Sequence, residues 1–148
     1  MQTESSSAYR YNLSTRGILG GLFVGIGAAV INLAFDFMYR KITGYEFAQY
    51  VNINSIIFFT IPTLVVAGIV YSLIVEYLKK KGAIVYMVLA AILTTVVAFI
   101  PLGPNMMPSG EAMPASARGL TMGIEIITGA LGTFALPYFA EHPGVWGD

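Results

Sequence analysis

The chain has no cysteine at all. That excludes disulfides, thiolate metal sites, iron–sulfur clusters and cysteine nucleophiles. His142 is the only histidine, so one copy cannot supply a bis-histidine haem or a HExxH-type zinc site. Charge is scarce too. Charged residues make up 11% of the 148 residues, against about 25% in a soluble domain. Eight basic and eight acidic residues cancel to a net charge of zero, which gives nucleic acid nothing to hold. Nor is there a nucleotide-binding loop: Gly25-x-Gly27 sits inside a long apolar run instead of after a strand.

What fills the space is apolar. Hydrophobic residues account for 56% of the chain. The stretch Gly17 to Tyr39, GILGGLFVGIGAAVINLAFDFMY, carries one charge, Asp36. As a helix its 23 residues cover about 34 Å, enough for a hydrocarbon core of roughly 30 Å. Three further stretches follow, near 56–78, 83–102 and 119–140. The expected fold is all-α, a single integral-membrane domain over 16–140 built as a four-helix transmembrane bundle. A polar tail, 1–15, precedes it, and a short tail, 141–148, follows. Arg10 and Arg16 before an apolar run also fit a secretory signal cleaved after Gly27-x-Ala29, but the run continues past Ala29, beyond a normal signal core.

The first span is patterned. Gly17, Gly21, Gly25 and Ala29 recur every fourth residue and line one helix face. Such a wall lets another backbone approach closely, the usual means of helix association in lipid. Span one is therefore expected near the centre of the bundle. Asn32, Asp36 and Arg40 continue the same face. Pro62 interrupts span two and should kink it, with Thr60 and Thr63 beside it to satisfy the loosened backbone. Asn54 and Ser55 suit the start of that span. Lys79, Lys80, Lys81 and Gly82 read as a tight hairpin turn to span three. On span four Thr121, Glu125, Thr128 and Gly132 share a face, and Pro137 bends the end. Tyr45, Phe47, Tyr50, Tyr138, Phe139 and Trp146 are residues of a membrane–water boundary. A short surface helix over 46–51 is expected. In the loop 103–117, Met106, Met107 and Met113 allow a soft metal such as Cu(I), although a loop resting on the membrane is the simpler reading.

Because successive spans alternate direction, Asn32, Asp36, Thr60, Thr63, Thr94, Thr95, Thr121 and Glu125 should occupy one layer in one half of the membrane. An intramembrane carboxylate is a candidate functional group. Asp36, Glu125, Asn32 and Thr121 form the candidate proton or ion site, with Arg40 and Arg118 as counter-charges that could instead neutralise an acid. The bland alternative is a paired polar plug that fixes helix register. No cofactor, metal or catalytic residue is indicated, since neither histidine nor lysine is expected in the layer to activate a Ser or Thr. Five basic residues on the tail and the 79–82 turn face three on the other side, which places both termini in the cytoplasm of a cell membrane, bacterial by expectation.

The Gly-rich first span ending in INLAFD, the KKKG turn and the small-residue fourth span resemble small four-span bacterial membrane proteins grouped as a domain of unknown function. The resemblance covers about 16–140 and implies a multi-pass fold and no activity. Small multidrug exporters also have four spans and a membrane acid, but theirs lies inside the first helix, not near its end. The expected function is non-enzymatic: a small membrane subunit or scaffold that packs through span one against itself or a larger complex. The alternative is a small proton- or cation-coupled transporter using Glu125 and Asp36.

Overall fold

The computed structural model describes residues 12–44, 51–103, 110, 112–142 and 145. The 46–51 helix, Trp146, Met106 and Met107 of the sequence reading fall wholly or mainly outside them. The described chain is helical. Helix α1, Leu13–Thr43, begins before Gly17 because the Asn12 side chain caps it, accepting from the Thr15 N–H at 2.8 Å. It stops at Gly44, whose φ of 64° is left-handed and whose N–H closes on the Arg40 carbonyl. Helix α2, Ile53–Leu78, starts from a reciprocal cap between Asn52 and Ser55, two residues ahead of the expected Asn54. It runs through Pro62, which is exposed. The hydroxyl of Thr60, expected to serve the backbone there, instead meets Asn32.

Lys79 takes φ of 52° and the chain turns through Lys79–Lys81 into α3, Gly82–Phe99. A Cβ on Gly82 would come within 2.5 Å of Val75 Cα, so glycine is what lets the two helices close at this end. A 3-10 turn, Ile100–Leu102, ends α3 at Pro101. Helix α4 is Ala115–Ala130. It passes into a π-helical turn, Leu131–Ala135, and then α5, Leu136–Glu141.

The π turn has a local cause. The N–H of Leu136 reaches back five residues to the Leu131 carbonyl. The same reach from position 137 would end on the Gly132 carbonyl, but Pro137 has no N–H. The Tyr86 hydroxyl of α3 donates to that carbonyl at 3.0 Å. Pro137 thus does not simply bend the helix; it leaves an acceptor that a neighbouring helix satisfies.

α1 packs on α2, α4 and α5, while α3 packs on α2, α4 and the π turn, across the molecule from α1. The main core joins Val24, Ala28, Leu64, Tyr71, Tyr86, Leu136 and Ala140. A smaller one gathers Phe35, Tyr39, Val51 and Met113 around Ala117 and Leu120, so Met113 is an apolar packing residue here. Among the described residues three helical stretches are long and apolar enough to cross a membrane: Leu13–Thr43, Ile53–Phe99, which contains α2, its turn and α3, and Ala115–Glu141. Large apolar side chains face outward along all of them, Phe23, Phe58 and Leu93 among them. Apolar surface on this scale is compatible with a membrane protein.

Candidate functional site

Three groups of polar side chains stand among these helices. The deepest centres on Asn32, which is 0% exposed. Its amide nitrogen donates to Thr60 Oγ1 at 3.1 Å and to Thr128 Oγ1 at 2.8 Å. One residue therefore ties α1 to both α2 and α4. Such bonds average about 0.6 kcal/mol each between membrane helices. The Asn32 Oδ1 has no hydrogen-bond partner among the described residues, nor does the buried Thr133 Oγ1.

The second group lies one turn further along α1. Asp36 is buried and Arg40 half-buried. Four residues apart, they meet on one helix face. Arg40 Nε donates to both carboxylate oxygens, at 2.8 and 2.9 Å. Its Nη2 donates to the Val51 carbonyl at 2.5 Å. The cation also sits in the last turn of α1, where the helix dipole favours it. The pair thus fastens the end of α1 to the segment that leads into α2. It borders a recess of about 620 Å³ with Asn52 and Asn54. Of the two candidate counter-charges, Arg40 and Arg118, it is Arg40 that pairs with Asp36.

The third group contains Glu125. Gly123 packs against the Phe35 ring of α1 and Gly119 against Tyr39. Two residues along a helix turn by about 200°, so Glu125, two after Gly123, points away from α1. It lines a crevice of about 330 Å³ between α2 and α3, backed by α4. Thr63, Thr94 and Thr128 line the same crevice, whose walls are otherwise mostly apolar. No ion pair or hydrogen bond to Glu125 is found among the described residues. Arg118, two turns away, instead donates to the Met113 carbonyl at 3.0 Å. Thr121 donates to the Ala117 carbonyl of its own helix, and exposed Thr95 does the same to Ala91.

The polar side chains of the expected layer fall into separate groups. Asn32 meets Thr60 and Thr128. Asp36 goes to Arg40. Glu125 faces another side of the molecule, and no hydrogen bond joins it to Asp36 among the described residues. Thr128 belongs to two groups, since it accepts from Asn32 and also lines the crevice. No titratable cluster of three metal-ligating side chains occurs among the described residues.

The small residues of α1 face α2. A Cβ on Gly17 would strike the Ser72 hydroxyl and the Gly68 backbone. One on Gly21 would strike the Leu64 carbonyl, and one on Gly25 would lie 3.2 Å from Ile61 Cα. Ala29 is buried. Gly68, on α2, is the matching residue that the sequence reading passed over. A Cβ there would run into the Gly17 carbonyl. An unexplained glycine inside a helix costs about 0.5–1 kcal/mol relative to alanine, and that cost was the available signal. Also passed over was the Tyr71 hydroxyl donating to Glu141 at 2.7 Å, with the Tyr71 and Tyr86 rings edge-on at 5.1 Å.

No protein-family model, curated protein or solved structure matches the chain in comparisons with known proteins.

Proposed function

We propose that the chain is a multi-pass membrane protein with four spans, α2 and α3 crossing separately, and that it serves as a small non-enzymatic membrane subunit or scaffold. The turn at Lys79–Lys81 supports two crossings, because three exposed lysines at a hairpin belong at a membrane surface. The observation that carries the subunit reading is α3. Of its 18 residues only Gly82, Tyr86 and Ala98 are buried. Ile84, Val88, Ile92, Val96 and Phe99, none of which lines the Glu125 crevice, are each more than half exposed. This face is free to pack against a second copy or a larger complex. Gentle extraction followed by native mass measurement tests it. A stable homo- or hetero-oligomer that Ile92→Glu disperses supports the reading, and a monomer in every mild extraction refutes it.

A second reading, cation- or proton-coupled transport, is favoured by the Glu125 crevice. Asp36 is engaged by Arg40, so Glu125 carries this reading by itself. Proton-linked flux in vesicles that survives Glu125→Gln would exclude it.

A further inference from the structure

The Glu125 crevice is a better-defined feature than either reading requires. Among the described residues its walls touch at several places, including the edge-on Tyr71–Tyr86 rings of α2 and α3. Gly82 meets Val75 where α2 and α3 join, Gly129 meets Thr94 between α4 and α3, and Gly132 meets Leu64 between the π turn and α2. Beyond the Tyr71–Tyr86 contact, toward Thr63 and Val97, the crevice lies between α2 and α3. The rim residues Val66, Leu89 and Leu93 are 57%, 53% and 63% exposed, so the opening lies on the apolar outer face. Anything entering from there must be soluble in hydrocarbon over most of its surface.

The crevice is also one-sided in charge. Among the described residues Glu125 is its single acid, no basic side chain lines it, and Tyr86 is its other titratable group. The Tyr86 hydroxyl is already spent on the Gly132 carbonyl. A carboxylate in apolar surroundings gains most from a cation brought beside it, because the low dielectric strengthens the attraction. A dehydrated metal ion suits the crevice poorly. Hard cations take six to eight oxygens, and the crevice offers one carboxylate and three threonine hydroxyls, one of them bonded to Asn32. Nor does a small ion fill it. A volume of about 330 Å³ is at the lower end of pockets that hold organic ligands.

We propose that the crevice between α2 and α3 binds a lipophilic organic cation, a quaternary or protonated amine carrying an aromatic or branched apolar group, with Glu125 as its counter-ion. The proposal rests on the Glu125 reading above only in using the same carboxylate. Binding at equilibrium needs no transport.

The absence of native cysteine provides a local reporter. Leu93→Cys places one thiol on the rim, and its rate of alkylation in the full chain, reconstituted in lipid nanodiscs, reports occupancy. The probes are benzyltrimethylammonium and its uncharged carbon isostere, neopentylbenzene, which differ in charge and hardly in shape. The expected result is saturable protection by the ammonium and none by the isostere at equal concentration in the lipid. Adding Glu125→Gln should weaken the protection by about tenfold or more, while Glu125→Asp keeps most of it. Ala90→Phe, which fills the crevice and leaves the acid in place, should abolish it. Equal protection by both probes would overturn the proposal, as would no protection by either. The comparison of probes needs no altered acid, so misfolding of Glu125→Gln cannot shield it. A protein that binds the ammonium but does not move it across a vesicle refutes transport and leaves the site standing.

Discussion

Gly21 offers the sharpest test of the packing of α1 on α2. A Cβ at this position would overlap the Leu64 carbonyl and lie 3.0 Å from Val65 Cα and 3.1 Å from the Leu64 carbonyl carbon. All three are backbone atoms, so no rotamer change relieves the contact, and the helices must move apart. Gly→Ala would otherwise stabilise a helix by about 0.5–1 kcal/mol. Overpacking costs typically about 1–3 kcal/mol. The second effect wins, and Gly21→Ala should lose about 1–2 kcal/mol net. Gly21→Leu should lose more. Gly25→Ala meets Ile61 at 3.2–3.3 Å and should fall near the parent protein, the two effects nearly cancelling. Gly27, on the same helix, has nothing within 4 Å, and Gly27→Ala should be neutral or stabilising. Unfolding in mixed micelles followed by far-UV circular dichroism gives the order. Gly21→Ala as stable as Gly27→Ala would refute a close contact of α1 with α2 at this level.

Other predictions concern the polar groups and the topology. A double-mutant cycle between Asn32→Ala and Thr128→Val should give a coupling of about 0.6 kcal/mol and no more than about 1.7; additive losses would mean the two side chains do not meet. Arg40→Gln should destabilise by about 1–3 kcal/mol, between an exposed and a buried pair, and adding Asp36→Asn should recover part of it, since the stranded carboxylate is then gone. Tyr86→Phe should cost about 1 kcal/mol, and less in a Pro137→Ala background, where a backbone N–H at 137 can take over the Gly132 carbonyl; an equal cost in both backgrounds would disconnect the two residues. For orientation, single cysteines at Ser5 and Gly147 should resist an impermeant reagent in intact cells while one at Ser109 reacts; the reverse pattern would invert the proposed topology.

The parts of the molecule readable in the sequence are those fixed along a helix axis. Counting residues along helices of alternating direction puts Asn32 and Thr60 at one level, and they meet there. The four-residue spacing of Gly17, Gly21 and Gly25 defines a face, and that face abuts α2. What counting cannot supply is which way each face turns once the neighbours are in place. Asp36 and Glu125 are therefore easily read as a pair. Their separation depends on Gly123 rather than Glu125 taking the Phe35 ring. The π turn was illegible for another reason. Its only marker is Pro137, and a proline at that position is equally compatible with a kink or a helix end. The start of α2 turned on choosing between Asn52 and Asn54. Ser55 stands three residues after Asn52, the spacing that closes a reciprocal cap, and so decides for it.

The helices also differ in length. α1 has 31 residues, about 46 Å, and α3 has 18, about 27 Å. No single slab of hydrocarbon matches both. On the proposed membrane placement α1 must tilt or stand out of the bilayer, whereas α3, bounded by three lysines and Pro101, has no spare length. In a bilayer thicker than α3 with its terminal 3-10 turn, the lipid beside it thins or the flanking lysines snorkel, at a cost of fractions of a kcal/mol per Å. That cost grows with acyl-chain length, so the protein should partition toward thin membranes and lose stability in long-chain lipid. Where the lipid thins in this way, it does so along the helix that forms one wall of the Glu125 crevice, and the headgroup region comes closer to that opening.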